Sequence, residues 1–110
     1  MKDNYLIISN RKRVHKIPYD DIVFISSNGM LITVYTVTGK KCSCSKNIGV
    51  IEEDLAHSDK FFRIHTSYIV SISKIREYHR EDKEVEMICT TLLPVAKRRT
   101  NEFLQVYRKS

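Results

Sequence analysis

Over most of the chain, apolar and polar residues alternate with a period of two. The apolar positions are rich in β-branched and aromatic side chains, a pattern that predicts strands. Tyr5 to Ser9 is the first such run. Arg13 to Ile17 is the second, and Asn10-Arg11-Lys12 between them reads as a hairpin connection, because Asn tolerates a left-handed backbone. Pro18 closes that strand. Ile22 to Ile25 is a short apolar run that leads into the turn cluster Ser26-Ser27-Asn28-Gly29. Asn-Gly between two apolar runs is a strong hairpin signal. Leu31 to Val37 follows, and Thr38-Gly39-Lys40 turns the chain into Lys41 to Ser45.

The period then changes. Ile48, Ile51, Leu55 and Ala56 fall at helical spacing with Glu52, Glu53 and Asp54 opposite, which predicts an amphipathic helix over Ile48 to His57 with Asn47 as its N-cap. Strand patterning resumes at Phe61 to His65, Ile75 to Tyr78 and Val85 to Cys89, and Arg80 to Lys83 forms a wholly charged turn. Thr91 to Val95 is a last short strand; Pro94 places it near a sheet edge, since proline donates nothing to a ladder. Ala96 to Arg108 reads as a helix with Phe103, Leu104, Val106 and Tyr107 as its apolar side. The fold class expected is mostly β, with one central and one C-terminal helix.

Composition narrows the possibilities. The 110 residues suit one domain over 1–110, and 42% are apolar, enough for a core and too many for a disordered chain. Three Gly and two Pro rule out collagen-like or linker-like sequence. No apolar stretch is long enough to span a bilayer, and Met1 to Ser9 lacks the apolar run of a signal peptide. A soluble, cytoplasmic domain without membrane contact is expected. The 19 Lys and Arg against 13 Asp and Glu leave a net charge of +6. Acidic residues gather at Glu52 to Asp54 and Glu81 to Glu86. Basic ones gather at Arg11 to Lys16, Lys40-Lys41 and Lys97-Arg98-Arg99. Such segregation is the electrostatic footprint of a nucleic-acid binder, and it is equally compatible with solubility charge on exposed loops.

Cys42, Cys44 and Cys89 are odd in number and form no closed disulfide framework. Cys42 and Cys44 lie two apart on a strand, a poor geometry for bridging each other. With the histidines (His15, His57, His65, His79) scattered, they make no recognisable metal set, so reduced and mostly buried thiols are expected, with no metal and no cofactor. No nucleophile–base motif, Gly-rich phosphate loop or paired-carboxylate motif appears, and no enzyme activity is expected.

One segment carries more information. Phe61-Phe62-Arg63-Ile64-His65-Thr66-Ser67-Tyr68-Ile69-Val70 resembles the signature of the LytTR family of bacterial DNA-binding domains. Other pieces follow in family order. Ile17 to Ile25 resembles an early strand of form I-x-x-x-D-I-x-x-I, and Asn28-Gly29 falls in the following loop. Ile48, Ile51 and Leu55 resemble the helix before the signature. Leu93 to Arg99 resembles a closing P-V-S-R-R motif. The likeness covers Tyr5 to Tyr107. Ala96 stands in place of the usual serine, Lys97 in place of a common arginine, Thr66 in place of arginine or asparagine, and Ser71 in place of a frequent asparagine. These departures bear on which base is read.

The resemblance implies an elongated domain of about ten short strands in stacked sheets with a small helix alongside. It also implies that loops enter successive major grooves, that pairs bind direct repeats in promoters, and that a receiver or sensor domain supplies the input elsewhere. The chain would then be either the output domain of a two-component-type response regulator or a stand-alone regulator. Arg98 is the candidate base reader, since an arginine fork matches guanine O6 and N7; phosphate contact or free solvation is the plainer alternative. Lys97 and Arg99 suit phosphates. Thr66 and Ser67 present hydroxyls to DNA or cap a turn. His65 donates to phosphate or, preferably, anchors the loop internally. Asn28 and Met30 occupy a second groove-facing loop, with Met30 against a thymine methyl or partly buried. Arg63 is expected to point outward; Phe61, Phe62, Ile64, Tyr68 and Ile69 are expected in the core. The function expected is sequence-specific binding of double-stranded DNA in transcription regulation; the alternative is a protein-interaction module whose basic loops meet an acidic partner.

Overall fold

The computed structural model describes residues 4–109, so the first three residues of the Met1 to Ser9 segment, and both ends of the domain expected over 1–110, lie outside the described residues. The order of elements is β1 (Tyr5–Ser9), β2 (Val14–Pro18), β3 (Ile22–Asn28), β4 (Leu31–Thr36), β5 (Lys41–Ser45), α1 (Ile48–Leu55), β6 (Phe61–His65), β7 (Tyr68–Ser71), β8 (Ile75–His79), β9 (Glu84–Met87), β10 (Leu92–Pro94) and α2 (Thr100–Lys109). A 3-10 turn at Lys97–Arg99 precedes α2.

A five-stranded antiparallel sheet in the order β5-β4-β3-β7-β6 forms the middle layer. The hairpin β1-β2 covers one face together with α1, and the sheet β10-β9-β8 covers the other together with α2. β3 shows how both cores are served. Its first four residues are all buried, and a bulge between Ile22 and Phe24 interrupts its register with β4. An extra residue in one strand places two successive side chains on one side. Val23 and Phe24 accordingly enter the α2-side core, while Ile22 and Ile25 enter the α1-side core.

The sequence pattern is kept with five local differences. β3 does not stop at Ile25: Ser26, Ser27 and Asn28, expected in a turn cluster, continue the strand and pair with β4. Tyr68–Ser71, read from the pattern only as core, is a separate strand pairing with both β3 and β6. Its residues from Ile69 to Ser71 are all buried, so it shows no alternation to betray a strand. α1 ends at Leu55, short of His57. Its start follows the expected cap, with Asn47 Oδ1 accepting the Gly49 N–H at 2.7 Å. The middle strand of the outer sheet, β9, ends at Met87, because Thr90 at φ 68 turns the chain and leaves Cys89 exposed. Finally, Ala96 to Arg99 is not part of α2. Ala96 is extended, and its carbonyl accepts the Arg99 N–H at 2.9 Å and the Thr100 hydroxyl at 3.2 Å, which closes one tight turn before the α-helix starts.

Cys42 and Cys44 are buried as expected. Ile64 and Ile69 are fully enclosed, while Phe61, Phe62 and Tyr68 are only partly buried and pack on the core margins. β10 pairs with β9 alone, so Pro94 does sit on an edge strand.

Candidate nucleic-acid interface

Two hairpins of the central sheet end on the same side because β3 and β7 are antiparallel neighbours. In the first, Asn28 pairs with Leu31 and the loop is Gly29-Met30. Gly29 has φ +64 while Met30 stays out of the positive region, the φ pattern of a type II′ turn, in which glycine takes the first loop position. The Asn-Gly signal therefore marked the right hairpin with its loop displaced by one residue. In the second, His65 pairs with Tyr68 and the loop is Thr66-Ser67. The Ser27 N–H donates to the Ser67 carbonyl at 2.9 Å, tying one hairpin to the other. The Lys46 N–H donates to the Met30 carbonyl at 2.8 Å, which brings the β5–α1 connection to the same end.

The second loop is held by side chains. His65 Nδ1 accepts the Ser67 N–H at 3.1 Å and lies 3.4 Å from the Thr66 hydroxyl. An accepting Nδ1 leaves Nε2 as the protonated nitrogen of a neutral ring. His65 thus anchors the loop internally, the preferred of its two expected roles. Arg63 does not point outward. Its side chain is only 17% exposed and its guanidinium donates to Glu52 Oε1 at 2.8 Å and to the Thr66 carbonyl at 2.8 Å. Its Nε donates to the His65 carbonyl at 3.3 Å. A bulge between Arg63 and His65 in the β6–β7 register accompanies this departure from simple alternation.

The 3-10 turn lies beside β6. The Ala96 N–H donates to the Ile64 carbonyl at 2.8 Å, and Arg99 Nη1 donates to the Arg63 carbonyl at 3.2 Å. Lys97 and Arg98 are exposed, whereas Arg99 is half-buried with its Nε enclosed and unpaired. The three consecutive basic residues are therefore not equivalent: two face solvent and one is turned onto the β6 backbone.

Asn28, Met30, Thr66, Lys97 and Arg98 are all exposed, and Ser67 and His65 are half-buried beneath them. Met30 is 60% exposed, which settles its burial against the partly buried alternative. The seven expected residues other than Arg99 are thus carried on three neighbouring segments. Two further residues bond to these loops without having been expected there. Lys46 was hidden at the end of a cysteine-bearing strand, and its place beside Met30 follows only from the backbone bond. Arg63 was visible in the signature, but alternation assigned it to the wrong face.

Elsewhere, Asn10 organises the basic β1–β2 turn by accepting the Lys12 and Arg13 N–H groups at 3.0 Å each. Among the described residues one set could offer three metal ligands: Glu77, His79 and Glu86 on the outer face of β8 and β9. His79 Nε2 lies 3.0 Å from Glu77 and 3.5 Å from Glu86, and Arg76 lies 3.7 Å from Glu86, so both carboxylates already have polar partners within the cluster. Among the described residues no helix is long and apolar enough to cross a membrane.

A search of curated proteins returns no match. A solved structure of similar fold is the LytTr DNA-binding domain of a putative methyl-accepting/DNA response regulator from Bacillus cereus. It superposes with a TM-score of 0.79 at 15% identity, over 94% of this chain and 96% of that one. The family model for the LytTr DNA-binding domain matches residues 12–108, which takes in both hairpin loops and the whole Lys97–Arg99 turn. With the signature, the layered fold and that match in agreement, the chain belongs to the LytTR family of DNA-binding domains.

Proposed function

We propose that this chain binds double-stranded DNA sequence-specifically through the sheet end formed by the Gly29-Met30 loop, the Thr66-Ser67 loop and the Lys97–Arg99 turn. It would act as one domain, in pairs on direct repeats in promoters, as the output part of a two-component-type regulator in the bacterial cytoplasm. The observation that carries this reading is the convergence of three separate segments whose exposed side chains are Asn28, Met30, Thr66, Lys97 and Arg98. Arg98 is free to present its fork to a guanine edge, and Lys97 beside it suits a phosphate. Met30 offers a thioether and methyl to a thymine methyl. Thr66 offers a hydroxyl, and Asn28 both a donor and an acceptor. Arg99 and His65 serve the site from behind by holding the segments.

The test is binding to a promoter direct repeat across a salt series, with an unrelated duplex alongside. Each phosphate neutralised releases condensed counterions, so affinity should fall steeply with salt. Affinity that stays flat from low to moderate salt defeats the reading. Absence of any duplex binding, together with capture of an acidic protein partner, supports the interaction-module alternative instead.

A further inference from the structure

We propose that Arg63 is the positioning residue of this interface, setting the specificity of DNA recognition without touching DNA. The proposal rests on the DNA-binding reading above and names how its geometry is held. Three side-chain hydrogen bonds leave Arg63: to Glu52 on α1, to the His65 carbonyl and to the Thr66 carbonyl. A fourth bond reaches the same residue from the other direction, since Arg99 Nη1 donates to its backbone carbonyl. One residue therefore joins α1, the Thr66-Ser67 loop and the turn that carries Lys97 and Arg98.

The chemistry suits arginine alone. A planar guanidinium with donors at Nε, Nη1 and Nη2 reaches three acceptors in fixed directions, whereas lysine is a point charge on a flexible stem. Glu52 serves as the counter-charge that keeps this cation in place. Its carboxylate is 45% exposed, so the pair's worth lies more in aim than in energy. Opposite the Glu52 bond, the guanidinium grips the two carbonyls that frame the loop. The Thr66–Ser67 peptide is one rigid plane held at both ends: His65 Nδ1 accepts its N–H, and Arg63 donates to its carbonyl. Without Arg63 that peptide keeps only the tether from its N–H to His65 Nδ1 and can tilt about it. Thr66, the exposed residue of the loop, would then lose a fixed direction relative to Arg98.

The experiment uses Arg63→Lys and Glu52→Gln. The probes are a repeat-bearing duplex selected by the wild-type protein from a random pool and an unrelated duplex of equal length. Arg63→Lys should weaken the selected duplex by about tenfold or more while changing the unrelated one by less than about twofold. The dependence of log affinity on log salt should keep its slope, because no phosphate contact is lost. Glu52→Gln should move the same ratio in the same direction by less. A second measurement needs no DNA: the Ser67 amide should exchange its hydrogen faster in Arg63→Lys than in the wild type.

An unchanged specificity ratio overturns the proposal. So does a salt slope shallower by about one unit, which would make Arg63 a direct phosphate contact. Equal losses on both duplexes with a lowered thermal midpoint would reduce it to a structural residue. If the wild-type protein selects no duplex, the DNA-binding reading itself fails, and unaltered exchange at Ser67 then overturns the positioning role separately.

Discussion

The two faces of the central sheet are packed with different materials. On the α1 side, beneath β1 and β2, the core is mainly aliphatic, with Leu6, Ile8, Ile25, Ile32, Ile51 and Leu55 around the two buried cysteines and Tyr19 as its one buried ring. On the α2 side an aliphatic centre is joined by Phe24 and Phe103 and ringed by partly buried aromatic residues. Phe103 is fully buried, stacked on Tyr107 at 5.4 Å and tilted against Tyr78 at 5.5 Å and Phe62 at 6.0 Å, while Phe24 stacks on Tyr35 at 4.2 Å. Aromatic packing has preferred ring geometries and so fixes orientation as well as contact. The α2 side is also where Lys97 and Arg98 hang, one turn before the helix that Phe103 docks. The difference teaches that one core mainly supplies stability, whereas the other also aims the basic turn.

Several measurements break or sharpen this division. Phe103→Ala should cost about 3–5 kcal/mol in chemical denaturation, since a fully buried ring leaves a cavity its neighbours fill only partly. Where the variant is still folded, it should lose selected-duplex affinity beyond what the unfolded fraction explains. Ile51→Ala, on the α1 side, should cost about 2–5 kcal/mol of stability. Its folded fraction should bind DNA nearly as well as wild type; an equal loss of binding per folded molecule in both variants would abolish the distinction. Arg98→Ala should leave stability within error and cost about 1–3 kcal/mol at one base position, read by competition among singly substituted duplexes. Lys97→Ala should weaken all duplexes alike and make the salt slope shallower by about one.

The smallest effect concerns the thiols. Burial pushes the Cys44 thiol above its ordinary pKa, with Lys46 pulling partly back. The unfolded chain therefore gives up that proton first as pH rises, and stability contributed by this group declines once pH passes the ordinary thiol range. The decline should show in denaturation midpoints on the alkaline side and vanish in Cys44→Ala. In the native protein at neutral pH, exposed Cys89 should react with a thiol reagent well before Cys42 and Cys44.

Much of the fold was legible because period-two patterning is a direct consequence of strand geometry. β1, β4, β5 and β6 show it, and each was placed to within a residue. α1 was legible from its apolar spacing and from Asn47, whose short side chain caps a helix locally. β7 was not legible as a strand, because a strand with neighbours on both faces buries consecutive side chains. The Lys97–Arg99 turn read as helix because three long basic residues have good helical propensity; Ala96 in the extended region overrides it. The candidate interface residues were picked out by the signature, the closing basic motif and the Asn28-Gly29 loop. That Arg99 and Arg63 turn inward was not, since alternation and charge both favour solvent.

By itself, the sequence determined the β-rich class, the two helices, the hairpin ends and the basic residues near them, because these depend on local geometry and on side-chain chemistry at short range. Tertiary structure alone decided which of those residues meet. The pairing of β3 with β7 brings the Met30 and Thr66 loops to one end, and the bond from Ala96 to Ile64 sets the basic turn beside them. Those contacts join residues 32 to 46 positions apart, where no local pattern operates and only the packing of three layers selects the partner.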